Sequence, residues 1–247
     1  MRIALLGYGK MGKIIEQFAV DRGHEIGLII DADNQDELSI ASLKKIDVAI
    51  DFSTPASVIN NIEICFEASV PIVVGTTGWY EKLQEIKNNC EIGNNSLLYA
   101  SNFSIGVNVF FFVNKVLAKI MNAYPQYEVQ VEEIHHTQKL DSPSGTAMTI
   151  AEGVIEELDR KNEWINELVG DGNEVIAKPD QLLIESHRLE EVPGTHTVIY
   201  SSEVDTIEFK HKAHNRTGFA MGAVLAAEWL QDRTGFFSIN DLFDFNI

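Results

Sequence analysis

The glycine pattern Gly7-Tyr8-Gly9-Lys10-Met11-Gly12 sits between the apolar run "RIALL" and a helical stretch from about Lys10 to Asp21. No other feature restricts the fold of this chain as strongly. A G-x-G-x-x-G acts mechanically only where a strand turns into a helix. The first two glycines permit a tight turn and close approach of backbone to a pyrophosphate, and the third lets helix pack on strand. The helix N-terminus then directs N–H groups and partial positive charge at an anion. The runs "EIGLIID", "DVAIDF", "PIVVG" and "SLLYA" alternate with helical patterns as far as about Ala100. Strands alternating with helices specify βαβ units and a parallel sheet. In "DFSTPASV", Ser53 or Thr54 is expected to cap the next helix, with Pro55 in its first turn.

The rhythm changes after Asn102. A long apolar helix is predicted over Gly106 to Met121, followed by "YEVQVEEIHH", in which Tyr127, Val129 and Val131 alternate with Glu128, Gln130 and Glu132 as in a half-buried strand. A helix is expected after "DSPSGTA" to about Lys161, then an irregular acidic stretch with Gly170, Gly172 and Pro179, then strands "THTVIYSS" and "DTIEFKHKAH". Strands following strands imply a mixed or antiparallel sheet. The closing helix "GFAMGAVLAAEWLQ" is able to return and cover the first domain. The fold class expected is therefore α/β: a Rossmann-type parallel-sheet domain plus an α+β domain with a mixed sheet.

Charge narrows the function. With 37 acidic against 19 basic residues, the net charge is −18, a field that repels nucleic-acid phosphates and anionic lipid headgroups. Neither nucleic acid nor membrane is an expected partner. An anionic substrate would have to be met by a few placed cations and backbone N–H groups. The most apolar run carries Asn108, Asn114, Lys115 and Lys119 and reads as a buried helix and not a membrane span. No signal peptide is visible at "MRIALLGYG". The two cysteines, Cys65 and Cys90, fit reduced thiols in the cytoplasm.

Asp31 closes the second strand about 20 residues beyond the glycine loop, where an acid bonds both ribose hydroxyls of a dinucleotide. A 2′-phosphate would meet Asp31, Ala32, Asp33, Asn34, Gln35 and Asp36, with no arginine or lysine among them. NADH is therefore the preferred cofactor, and Lys10 leaves NADPH possible. "GTTGWY" from Gly75 and "ASNFSIGVN" from Ala100 follow strands at the carboxyl edge of the sheet, where open α/β folds bind ligands. Their threonines and amides suit a nicotinamide. They would serve equally well if Thr76 and Thr77 only shaped a turn and Asn102 only capped a helix.

The densest chemistry lies in "EEIHHTQKLDSPSGTA". If the strand persists through His135 and His136, their side chains take opposite faces. Lys139 follows on a loop, and Ser144 is placed to cap a helix whose first N–H groups, near Gly145 and Thr146, are free to hold a carboxylate. A proton-donating histidine, a lysine charge and such a cradle suit reduction of a carboxylate-bearing imine or enone. Two other readings remain open from spacing alone. One is a satisfied structural histidine pair. The other is a metal held by His135 and His136 with His211 and His214, which lacks an acid or cysteine at familiar spacing; no metal is expected.

The run E-x-H-H-x-x-K-x-D-x-P-S-G-T-A from Glu133 to Ala147 closely resembles the motif of the 4-hydroxy-tetrahydrodipicolinate reductase family, the lysine-biosynthetic reductases of the diaminopimelate route. "GYGKMG", "DFSTP", "VVGTTG", "SNFSIGVN", "GTHTV" and "HKAHNRTGFAMGA" match it in order, so the resemblance spans nearly the whole chain. It implies that His135 donates a proton, Lys139 binds or polarises a small dicarboxylate substrate, and His136 shapes the pocket. Ser144, Gly145 and Thr146 would hold a carboxylate, and Arg216 would stand at an interdomain hinge. Gly7, Gly9, Lys10, Met11, Gly12 and Asp31 would bind cofactor, and Gly75, Thr77, Ala100 and Phe103 would line its nicotinamide side. The implied architecture is a dinucleotide-binding domain of residues 1–105 and 216–247, a substrate-binding and oligomerisation domain of 106–215, and a homotetramer. The chain departs from the family where the glycine loop is one residue short, where Lys10 replaces an arginine, where Thr195 replaces an acid, and between Asp159 and Ser186. A related amino-acid or sugar dehydrogenase, or a non-catalytic NADH sensor, are the competing readings.

Overall fold

In the computed structural model, which describes residues 1–172 and 175–243, two compact units emerge. One is Met1–Ile105 together with the chain from Thr217 onward, and the other is Gly106–Arg216. Residues 173–174 of the acidic stretch and the last four of the terminal segment 216–247 lie outside the described residues.

The first unit comprises β1 (Arg2–Leu6), α1 (Lys10–Asp21), β2 (Glu25–Ile30), α2 (Ile40–Leu43), β3 (Val48–Asp51), α3 (Val58–Glu67), β4 (Ile72–Val74), α4 (Leu83–Ile92) and β5 (Ser96–Tyr99). Its strands pair in parallel in the order β2-β1-β3-β4-β5. Alternate residues of β1 serve opposite layers. Ala4 and Leu6 join Ile62, Cys65 and Phe66 of α3, while Ile3 and Leu5 join Ile15 and Ala19 of α1. A sheet buried on both faces needs continuous apolar strands, which is why these runs do not alternate.

The second unit holds α5 (Ile105–Met121), β6 (Glu128–His135), α6 (Gly145–Ile155), β7 (Glu163–Leu168), β8 (Gln181–Arg188), β9 (Thr195–Ser201) and β10 (Thr206–Lys212). Its sheet runs β10-β9-β6-β8-β7, with β6, β8 and β7 parallel and β9 and β10 antiparallel. The chain then returns to the first unit as α7 (Thr217–Leu230), β11 (Gly235–Ser238) and α8 (Ile239–Phe243). The closing helix does cover the first unit: Ala220, Ala223, Val224 and Ala227 of α7 share a core with Ile3, Leu5 and Ile15. The helix is rich in small residues because it lies close to its neighbours. A Cβ at Gly222 would fall 1.7 Å from the Phe103 carbonyl oxygen.

Several local expectations are corrected. The helix after Pro55 begins at Val58, not at the proline. Ser53 is drawn to Asp51 instead of capping (Ser53 Oγ to Asp51 Oδ1, 2.8 Å), and the Thr54 carbonyl accepts from Ser57 and Val58 N–H at 3.1 Å. Helix α6 stops at Ile155, short of Lys161. The stretch read as irregular contains β7 and β8. Buried Lys161 fastens it by an ion pair with Glu128 and by donating to the carbonyls of Pro179 (3.0 Å) and Gln181 (2.9 Å). Strand β11 also escaped the periodicity and pairs parallel to β5 at the sheet edge.

Candidate active site

In the first unit the glycine loop leaves β1 with Gly7 at φ +95°, and a Cβ there would sit 2.3 Å from the Phe52 carbonyl oxygen. Only glycine meets both demands. At Gly12, in the first turn of α1, the demand is for space alone, its Cβ position lying 2.4 Å from the Gly7 carbonyl oxygen. Gly9 caps α1 without any side-chain bond, the first turn carries no acid, and nothing lies within 4 Å of a side-chain position at Gly9. The N–H groups of this helix end therefore face open space. That space is a crevice lined by Gly9, Lys10 and Met11, by Phe52, Ser53 and Pro55 after β3, and by Gly75, Thr76 and Thr77 after β4. A helix N-terminus without a side-chain cap, reached by a turn closed to side chains at Gly7 and Gly12 and open at Gly9, suits the pyrophosphate of a dinucleotide.

Asp31 is exposed at the end of β2, where it caps a short 3-10 turn, its carboxylate accepting from the Ala32 N–H at 2.9 Å. Ala100 and Phe103 lie elsewhere, buried at 4% and 1% exposure. The Phe103 ring is 5.8 Å from that of Phe52, and Phe52 in turn covers Gly75, whose Cβ would clash with it at 2.2 Å. Phe103 thus backs the crevice wall through Phe52, and neither it nor Ala100 is among the residues that line the crevice.

Sequence reasoning missed Asp51. This wholly buried carboxylate accepts from Thr76 Oγ1 (2.5 Å), Asn61 Nδ2 (2.7 Å), Ser53 Oγ (2.8 Å) and the Ser53 N–H (3.2 Å). It ties together the loops after β3 and β4 that line the crevice. Burial pushes its carboxyl above the usual carboxylate range, against the pull of these neutral donors.

In the second unit β6 alternates in burial so that Val129, Val131, Glu133 and His135 all face inward. Cross-strand register extends each position into a row. Val131 faces Val198 and Ile184, and one step along Glu133 faces His196 and Ser186, with His211 beyond His196. The inner face thus passes from apolar to ionisable within two residues. The apolar end packs on α6 through Ile150, Ala151 and Val154, and the ionisable end lies by the N-terminus of α6. Ser144 caps that helix, accepting from the Ala147 N–H at 3.2 Å, and its hydroxyl pairs with His196 Nε2 at 3.1 Å.

Glu133 joins these parts. One carboxylate oxygen bonds His135 Nδ1; the other accepts from Arg188 Nη2 at 3.0 Å and from the Ser144 N–H at 3.3 Å. Burial would raise this carboxyl, but the hydrogen bond and charge of His135, with Ser186 and Arg188, hold it down at about 2. His196, 5.1 Å from His135 ring to ring, is lowered to about 3 by burial and by the His135 charge, so its imidazole is neutral.

His135 and Ser144 are thus brought together. The strand ends at His135, so the opposite-faces argument for His136 does not apply; its carbonyl accepts from the Lys139 N–H at 3.0 Å in a turn. The Lys139 ammonium bonds both Asp141 oxygens (2.8 and 2.7 Å), and this contact holds the Asp141 carboxyl below its usual range. Gly145 is exposed and Thr146 half-buried at the start of α6, and Arg216 is exposed at the last position of the unit. The residues missed were Glu133 as an actor, Arg188 and His196. Glu133 and His135 share strand parity and were legible as a pair, whereas Arg188 and His196 needed the register.

Two groups among the described residues have the make-up of metal ligands, Glu133-His135-His196 and Glu132-Glu185-His187, each with its ligand atoms within 4.8 Å of one another. Neither includes His136, His211 or His214. In the first, hydrogen bonds already account for the juxtaposition.

A dinucleotide-type parallel sheet and a separate mixed sheet carrying a braced histidine define a two-unit oxidoreductase of the nicotinamide-dependent class. Comparison with known proteins supplies the particular family. The family models for the N-terminus and C-terminus of dihydrodipicolinate reductase match residues 1–103 and 106–243. The 4-hydroxy-tetrahydrodipicolinate reductase of Christiangramia forsetii is 46% identical over 98% of this chain and 97% of its own. That of Acinetobacter baumannii is 33% identical over 94% and 92%. Among solved structures, the dipicolinate-bound dihydrodipicolinate reductase from Paenisporosarcina sp. TG-14 superposes with a TM-score of 0.76 at 25% identity, covering 96% of this chain and 97% of that one. The chain belongs to the dihydrodipicolinate reductase family. Among the described residues no helix is long and apolar enough to cross a membrane.

Proposed function

We propose that the chain reduces 4-hydroxy-tetrahydrodipicolinate to tetrahydrodipicolinate in the diaminopimelate route to lysine, with His135 as proton donor and Lys139 as the substrate-binding cation. The observation that carries this reading is the buried His135, braced by Glu133 beside the Ser144-capped start of α6. When bound, the nicotinamide supplies a hydride from C4. Loss of water from the hydroxylated ring leaves a conjugated, unsaturated dicarboxylate. Hydride addition at one end of that system puts an electron pair at the other, and the Nε2–H bond of His135 breaks to protonate it, leaving a neutral imidazole that solvent reprotonates. The N–H groups of Gly145 and Thr146 and the Ser144 hydroxyl take one substrate carboxylate. Lys139 exchanges Asp141 for the substrate, and His136 shapes the pocket.

In the first unit, Gly7 to Gly12 hold the pyrophosphate, Asp31 the ribose, and Gly75 and Thr77 the nicotinamide end, backed by Ala100 and Phe103. Asp31 and the absence of any cation in Ala32–Glu37 support NADH over NADPH, with Lys10 the one group able to serve a 2′-phosphate. Arg216 serves as a hinge, and the active form is a cytoplasmic homotetramer built on the second unit's sheet. The test is NADH consumption with enzymatically generated substrate. Turnover is expected, with Lys139→Met cutting kcat far more than it weakens NADH binding. NADH binding without consumption, or activity only as NADH formation from NAD⁺ with an alcohol or amine, would overturn the reading.

A further inference from the structure

Arg188 stands opposite His135 across the β6–β8 register; besides the adjacent His187 carbonyl, 2.8 Å from Nη1, its guanidinium reaches three partners at once. Nη2 bonds the Glu133 carboxylate at 3.0 Å and the Asp141 carbonyl at 2.7 Å, and Nε reaches the Lys139 carbonyl at 3.4 Å. Glu133 and Arg188 therefore touch both residues assigned to the chemistry, His135 through its side chain and Lys139 through its backbone. The Glu133 carboxylate takes the His135 Nδ1–H, which leaves Nε2 as the exchanging nitrogen. Gly194 borders that atom: a Cβ there would come within 3.0 Å of Nε2. We infer that Glu133 and Arg188 are a positioning pair, in which Glu133 fixes the tautomer and charge of His135 while Arg188 fixes the loop carrying Lys139. This inference rests on the assignment of His135 as proton donor.

Charge is the physical basis of the pairing. A buried carboxylate beside Nδ1 favours the imidazolium that must donate. The other charged or titratable groups near His135 are Arg188 on β8, His196 on β9, His211 on β10, and Lys139 and Asp141 on the loop. His196 is neutral and the Asp141 carboxylate is spent on the Lys139 ammonium, so Glu133 is the carboxylate in direct contact with the His135 ring.

Glu133→Gln keeps the shape and removes the charge. Because the donor must be protonated, activity fails as pH rises through its titration. Loss of the carboxylate should move the alkaline limb of the kcat/KM profile to lower pH and reduce kcat by roughly 10²-fold, within the span of general acid contributions. NADH binding should change by no more than about twofold. Arg188→Lys, which keeps a cation but loses the fork, should raise KM and leave the alkaline limb in place. Should Glu133→Gln fail to fold, ¹⁵N NMR of histidine-labelled wild-type holoenzyme followed over pH, assigned with His135→Gln, decides: as pH rises His135 should lose its Nε2 proton and stay protonated at Nδ1, and a neutral form protonated at Nε2 would overturn the inference. An unmoved limb with wild-type kcat in Glu133→Gln would also overturn it. If His135→Gln itself retains full turnover, the proton-donor assignment fails instead.

Discussion

Asp51 and Glu133 are both fully buried on inner strands, one in each unit, and both accept several hydrogen bonds. They are held in opposite ways. Asp51 has only neutral donors, the hydroxyls of Thr76 and Ser53, the Asn61 amide and one N–H, so burial wins and its carboxyl is raised. Glu133 has His135 and Arg188, so burial loses and its carboxyl falls to about 2. Neutral donors suffice to tie two loops together. A cationic partner is required where the carboxylate must keep its charge in order to act on a neighbouring imidazole.

The contrast predicts effects of different size and sign. The largest should follow Arg188→Met, which leaves Glu133 buried against a smaller positive charge; removing one member of a buried pair costs about 3–5 kcal/mol. Urea unfolding measures it, and a loss below about 1 kcal/mol, the worth of a surface pair, would mean that the pair is not buried in effect. Next comes the pH dependence of Glu133. A depressed carboxyl stabilises the fold above its unfolded value and loses that contribution as pH falls through its folded value. The fall from 4.5 to about 2 is worth about 3 kcal/mol at neutral pH. The stability deficit of Glu133→Gln should therefore be greatest near neutrality and shrink between pH 4.5 and about 2.

Asp51→Asn should show the reverse slope. A raised carboxyl favours the fold while protonated and loses that advantage as pH rises through its folded value, so this variant's deficit should be greatest in acid. Near neutrality it should not exceed about 1–2 kcal/mol, the range of single hydrogen bonds. Parallel slopes for the two variants in acid-unfolding curves would erase the distinction. The smallest effect is expected for Thr76→Val, about 1 kcal/mol for one lost donor, with NADH affinity reduced a few-fold because the loops after β3 and β4 slacken. A calorimetric titration with NADH measures that.

The first unit was largely legible because its information is local. Period, glycine placement and the acid at Asp31 are set within single βα units, and the strands from "RIALLG" to "SLLYA" appear where the apolar runs stand. The strands missed, β7, β8 and β11, lack that signature. β7 and β8 carry charged or polar residues at most outward positions, and β11 is four residues at a sheet edge. At the candidate site, His135, Lys139 and Ser144 were visible as one contiguous run. Their supports were not, since Arg188 and His196 lie more than 50 residues downstream of His135 and reach it only through strand register.

By itself, then, the sequence determined which segments pair as βα units, where a glycine turn opens the first helix, and which side chains carry the proposed chemistry. Those are matters of residue type at short spacing. Only the tertiary structure decided that Glu133 is a charged brace, while Asp51, held by neutral donors alone, is a knot whose carboxyl burial raises. The charge state of a buried carboxylate depends on which partners distant strands bring within hydrogen-bond reach, and no local pattern encodes that.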